Sequence, residues 1–131
     1  MVINDKLLDD LSTQARNNPR LRQAMDFRTT PADNSQRILN AMEPGTELPI
    51  HRHRSSTETV VVLRGAVEQH IYDEGGLEID CIRMAPGTAC VGMSVPVGQW
   101  HRAVALEPGT VIFEAKDGAY EPLSNSDILK L

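Results

Sequence analysis

The chain has only two cysteines, Cys81 and Cys90, among 131 residues. They are too few for a disulfide framework and form no CxxC pair, so both read as small strand residues kept as thiols in a reducing compartment. Aromatic residues make up only 4% of the chain, which leaves few platforms for stacking bases or sugar rings. No block of Lys or Arg stands out and the formal net charge is -5, which argues against a phosphate-tracking nucleic-acid interface. No apolar run approaches the roughly 18–20 residues that span a bilayer. The opening stretch, MVINDKLLDDLSTQAR, is acidic where a secretory signal is basic, and it lacks a continuous apolar core. These absences predict a cytoplasmic protein with no nucleic-acid or membrane partner. Its length suits one domain with a core of its own.

What is present divides into a short helical beginning and a long β region. Leu7, Leu8, Leu11 and Ala15 form the i, i+3/i+4 stripe of an amphipathic helix over Asn4–Arg16. Asn4 or Asp5 can cap it, and Asn17-Asn18-Pro19 stops it. A second, weaker helical turn is expected over Arg20–Asp26. After Thr30-Pro31 come short β-branched runs separated by Gly and Pro: Ser35–Met42, Glu47–Arg52, Thr57–Leu63, Ala66–Asp73, Leu77–Met84, Ala89–Val95, His101–Leu106 and Thr110–Lys116. Asp73-Glu74-Gly75-Gly76 is a hairpin signal, and Glu43–Thr46, Ala85–Thr88 and Glu107–Thr110 repeat a Pro-Gly-Thr turn. The expected organisation is an N-terminal helical segment over residues 1–30, a β barrel or sandwich over 31–123 and a tail over 124–131. The class is all-β, with strand number and spacing pointing to a jelly roll.

The chemistry concentrates in GTELPIHRHRSSTETVVVLRG, residues 45–65. Residues i and i+2 of an extended strand share a face, so His51 and His53 can offer imidazoles to one point. Glu58 follows the polar link RSST, and His101 arrives later in PVGQWH. Three imidazoles and a carboxylate suit one divalent transition metal ion such as Zn, Fe, Mn, Ni or Co. Four such ligands either close a tetrahedral zinc site or leave two positions of an octahedral ion open. His70, in the Ala66–Asp73 run, has no motif partner and reads as structural.

Gly45-x5-His51-x-His53-x4-Glu58-x6-Gly65 resembles the first motif of the cupin superfamily, and Pro96-x-Gly98-x2-His101 the core of its second. The second motif departs from the pattern at Cys90, where a glycine is usual, and at Ala105, where an asparagine is usual. Neither position is a ligand in that family. Over nearly the whole chain, through NPRLRQ, QRILNAMEPGTELPIHRH, ETVVVLRG and VGQWHRAVALEPGTVIFEAKDGAY, the sequence is similar to the WbuC family of cupin-fold metalloproteins. The resemblance implies a single cupin jelly roll holding one divalent metal through His51, His53, Glu58 and His101. It also implies an association with bacterial polysaccharide gene clusters and a homodimer, which would cover exposed sheet edges.

Ten of the 13 basic residues are Arg, whose planar fork grips carboxylate or phosphate bidentately. Arg37 and Arg54 are the candidates to bind an anionic substrate group; Arg52 and Arg102 neighbour ligands and should point away from them. Glu114 and Lys116 share a strand face and, with Tyr120 near the strand's exit, are candidate acid/base groups. Trp100 is expected to pack beside His101. The leading functional expectation is a small metal-dependent enzyme acting on a polar or anionic small molecule, a sugar or sugar acid. Isomerase or epimerase-like proton transfer stands ahead of oxygen-dependent chemistry. The alternatives are a non-enzymatic metal or ligand-binding module and a purely structural metal site.

Overall fold

A computed structural model describes residues 1–130. Its first element, α1 (Asp5–Arg16), is capped by Asn4, whose side-chain oxygen accepts from the Leu7 amide at 3.0 Å. The stripe expected from the sequence buries Leu8, Leu11 and Ala15 against Leu39, Ala41 and Val111 on the outside of a sheet. Burying each leucine is worth roughly 1.5–3 kcal/mol, and that apolar contact rather than helix propensity holds so short a helix in place.

The helix is followed by a strand, not by the helical turn expected over Arg20–Asp26. Strand β1 (Arg22–Asp26) pairs antiparallel with β2 (Ser35–Met42), from Arg22 opposite Met42 to Asp26 opposite Ile38. Its sequence, RQAMD, has no β-branched residue. What makes it a strand is the open edge of β2, which supplies partners for its backbone groups. Residues 1–30 therefore contribute both the covering helix and a strand of the main sheet.

The remaining strands fall within or near the expected runs: β3 (Ile50–His51), β4 (Glu58–Arg64), β5 (Val67–Tyr72), β6 (Glu78–Met84), β7 (Gly92–Val95), β8 (Trp100–Ala105) and β9 (Thr110–Asp117), with β3 only two residues of the expected Glu47–Arg52 and β7 four of Ala89–Val95. A single 3-10 turn at Asn125–Asp127 then leads into β10 (Ile128–Leu129). They form two five-stranded sheets, in the orders β1-β2-β9-β4-β7 and β10-β3-β8-β5-β6. The architecture is a jelly roll, built as a sandwich of two antiparallel sheets rather than one continuously bonded barrel. The tail is part of it, because Ile128 pairs with His51 and Leu129 with Ile50.

The interior is graded from apolar to polar along each strand. Met42, Val62, Val67, Met84, Ala105 and Ile112 pack together and close one end. Toward the other end the same inward faces carry Asn40 on β2, Glu58 on β4, Gln69 on β5, His101 on β8, and Glu114 and Lys116 on β9. The period-2 alternation of a strand puts all of these on the inner face.

The three Pro-Gly-Thr turns close alike, each threonine hydroxyl donating to the carbonyl three residues back at 2.7 Å. Gly65 is tighter, with φ +74° and room for a Cβ only 2.2 Å from Thr110 Oγ1 and 2.8 Å from its Cα. Gly65→Ala should therefore destabilise the protein by about 2 kcal/mol or more, read as a lower urea midpoint with an unchanged slope. A midpoint equal to wild type would show that the β4–β5 corner relaxes freely.

Candidate metal centre

The three motif histidines converge at the polar end of the interior. His51 on β3 lies directly opposite His101 on β8, with ring centroids 4.3 Å apart, and the His53 ring is 5.1 Å from His51 and 5.4 Å from His101. One nitrogen from each of the three falls within 4.8 Å of the others. Glu58, from β4 of the facing sheet, brings Oε2 to 2.9 Å from His101 Nε2 and 3.6 Å from His53 Nε2. The i, i+2 pair and the polar return through RSST converge as the spacing suggests, although the strand expected to carry both histidines ends at His51.

Backbone carbonyls fix how two of these rings present themselves. His51 Nδ1 donates to the Pro49 carbonyl at 2.9 Å, and His101 Nδ1 donates to the Gln99 carbonyl at 2.8 Å. A carbonyl can only accept, so the proton of a neutral ring resides on Nδ1 and the Nε2 lone pair faces the cluster. His101, only 2% exposed, then has an acceptor at both nitrogens, because the Glu58 carboxylate stands at its Nε2. A neutral imidazole cannot satisfy both; an added proton or a metal cation can. His53 Nε2 is buried without any hydrogen-bond partner. An orphaned nitrogen beside a proton-deficient pair is the hydrogen-bonding signature of a cation site, and the donor set fits a borderline divalent ion.

Charge is arranged around this point. Burial, with the neighbouring His101 and His53 rings, lowers the His51 pKa to about 4, so it stays neutral and able to ligate. For Glu58, burial works upward, but the His101 and His53 contacts and the Lys116 ammonium outweigh it and hold the carboxyl well below its usual range. Lys116 Nζ stands 3.9 Å from Glu58 Oε1 and 3.5 Å from Glu114 Oε2. Burial and then the Glu58 charge push the Glu114 carboxyl upward, against the opposing pull of Lys116 and Asn40. The two carboxyls are driven apart, one fixed as an anion and the other able to carry a proton.

Above the cluster opens a cavity of about 330 Å³. Glu114, Lys116 and Tyr120, the expected acid/base candidates, all line it. Tyr120 stands at the rim, 55% exposed, with the Arg28 guanidinium 5.3 Å over its ring. Arg54 is also at the mouth, ion-paired to Asp127, whose carboxyl it holds down at about 2. Arg37 is not there. It lies on the opposite face of β2 from Gln36 and Asn40, bound to Asp33 at 2.7 Å. Arg52 turns from the histidines as expected and places its guanidinium 4.4 Å over the Trp100 ring. Trp100 is buried beside the ligand strand with Ile50 and Tyr72.

Gln69 is a cavity residue that the sequence reading missed. It is 2% exposed, lines the cavity, and leaves Oε1 buried with no partner. The signal was a polar residue at an inward position between Val67 and Ile71.

The low His51 pKa carries a stability consequence with a definite sign. The unfolded ring takes its proton near 6.5 and the folded one only near 4, so falling pH favours the unfolded chain across that window and adds nothing below it. In chelator-treated protein, His51→Gln should remove about 3 kcal/mol of the stability lost between pH 7 and pH 4. Urea unfolding at both pH values measures this, and an unchanged acid slope would count against a buried neutral His51.

No curated protein matches the chain. Several solved cupin-fold structures are similar in shape. KdgF from Halomonas sp. shares 24% identity over 79% of this chain and 84% of its own, with a TM-score of 0.60. An oxalate oxidase in complex with the substrate analogue glycolate shares 14% identity over 77% of this chain and 53% of its own, with a TM-score of 0.62. The capsular polysaccharide assembling protein CapF from Staphylococcus aureus shares 22% identity over 76% of this chain and 27% of its own, with a TM-score of 0.64. The chain thus spans about half the length of that oxidase and about a quarter of CapF. At these identities the likeness is one of fold. A family model described as a domain of unknown function, DUF6016, matches residues 3–84. That match covers more than half of the chain, and the protein is a member of the DUF6016 family built on a cupin jelly roll.

Proposed function

We propose that the protein is a metal-dependent cupin enzyme that binds one divalent transition ion through His51, His53, Glu58 and His101. It acts on a small polar or anionic molecule, a sugar or sugar-derived acid, in polysaccharide metabolism of the WbuC type. The observation that carries the reading is the proton deficit of the cluster: acceptors at both nitrogens of His101, and a buried His53 Nε2 that makes no hydrogen bond, with Glu58 Oε2 3.6 Å away. When bound there, a divalent ion would polarise a carbonyl or acidify a bound water.

The protein's own groups suit proton transfer. Glu114 can hold or release a proton at its carboxyl, since burial and the Glu58 charge raise its pKa. Lys116 Nζ sits between the Glu58 and Glu114 carboxyls, 3.9 and 3.5 Å from them. The unpartnered Gln69 Oε1 offers an acceptor for a substrate hydroxyl. Arg54 at the mouth provides the cation for an anionic group, in exchange with Asp127. An isomerase or epimerase-like step uses these groups more fully than an oxygen-dependent one. Exposed Leu77 and Ile79 beside and on the edge strand β6 support the expected homodimer, and among the described residues no helix is long and apolar enough to cross a membrane.

Elemental analysis of protein purified without added metal should find one ion held by the cluster, lost in both His51→Ala and His101→Ala while each stays folded. Glu114→Gln should keep that ion and, with a substrate found by screening, lower turnover by roughly 10²–10⁴-fold. Failure of wild type to bind any divalent ion at this cluster after reconstitution would refute the reading. Retention of full turnover by Glu114→Gln would move the proton transfer elsewhere, and a closed four-coordinate ion with no exchangeable water would favour a structural site.

A further inference from the structure

The outer face of the second sheet carries another group of ligand-type side chains, separate from the cavity. His70 on β5 stands directly across from Cys81 on β6, and Glu68 is two residues away on the same face of β5. One ligand atom from each of the three lies within 4.8 Å of the others. His70 Nε2 is 3.3 Å from Glu68 Oε2, and Cys81 Sγ is 3.5 Å from the same oxygen. Around a tetrahedral zinc, with Zn–N and Zn–O near 2.0 Å and Zn–S near 2.3 Å, such N···O and S···O edges come to about 3.3 and about 3.5 Å. The two edges that meet at Glu68 Oε2 already have the dimensions of a zinc coordination shell.

Hydrogen-bond accounting points the same way. His70 Nδ1 is bonded to the Glu78 carboxylate, the arrangement that orients a metal-binding imidazole and strengthens it as a donor. With that proton given to Glu78, Nε2 turns its lone pair toward the Glu68 carboxylate. A neutral imidazole cannot serve both carboxylates, as at His101, and an added proton or a metal cation resolves the conflict. Arg102 is the cross-strand neighbour of His70 on β8. On binding, an ion would displace the Cys81 thiol proton, and the thiolate so formed would balance its charge together with Glu68.

We infer that Glu68, His70 and Cys81 form a second metal site, selective for zinc-like borderline ions, with Glu78 positioning the imidazole and a fourth position left to water. Its ligands join two strands, because β6 is the outer strand of its sheet and its ladder runs along β5 alone. An ion there ties that edge down. The site is independent of the reading given to the cavity.

The thiolate makes the two sites distinguishable, since the cavity cluster contains no sulfur. Chelator-stripped protein titrated with Co(II) should take up one equivalent that gives thiolate-to-cobalt charge-transfer absorption in the near ultraviolet and is displaced by zinc. Cys81→Ser should lose the band and one equivalent, and Cys90→Ser should lose neither. His51→Ala should keep the band whatever happens at the cavity. Glu78→Gln should keep the band with affinity lower by about 10–100-fold. No band in wild type, or a band that survives Cys81→Ser, would overturn the site. An unchanged affinity in Glu78→Gln would overturn the positioning role.

Discussion

Everything at the polar end of this protein depends on one awkward contact, a carboxylate and an imidazole brought together with a proton too few. Glu58 and His101 are both nearly sealed from water, and sealing an unbalanced charge is expensive unless something neutralises it. The surroundings are built to manage that charge. Pro49 and Gln99 supply carbonyls that hold two imidazoles with their lone pairs inward, Lys116 leans in from the neighbouring strand, and burial and the Glu58 charge push the Glu114 carboxyl upward. The sandwich makes this tolerable by segregation. Its apolar end, around Met42, Val62 and Met84, carries the hydrophobic stabilisation, so the other end is free to be polar.

That division of labour was legible in the sequence where short-range rules govern it. Strand alternation put Glu114 beside Lys116, the i, i+2 spacing brought His53 to His51 although β3 ends at His51, and the Pro-Gly-Thr turns announced three strands. Parity failed where the reference face was unknown. Arg37 alternates with Gln36 as Glu114 does with Phe113, but only the pairing of β2 with β9 tells which of the two faces inward. Strand β1 was hidden for a different reason. RQAMD has little preference of its own and was assigned by the edge it joins, and no local pattern records an edge.

The pairing of His70 with Cys81 shows how one residue can defeat counting. From the Asp73–Gly76 turn, a regular hairpin would set Asp80 opposite His70. A bulge instead leaves Tyr72 opposite Glu78 and Ile71 opposite Asp80, which brings Cys81 across from His70. An extra residue in one strand exchanges its two faces. A polar thiol thus joins an imidazole and a carboxylate outside, while Ile82 turns in to pack on the core.

The shortness of β3 sets the order in which the protein must assemble. Its two residues are clasped between β8 and β10, and both partners lie far along the chain from it. Contacts so remote carry a large closure entropy and form late, once the intervening sheets have brought them near. Glu58 comes from the opposite sheet altogether. An ion taken up by this cluster would therefore meet a finished container and could not serve as the seed around which the chain first folds. In that respect the protein differs from small domains that are disordered until metal arrives, and its choice of ion is made by a vessel already set in shape.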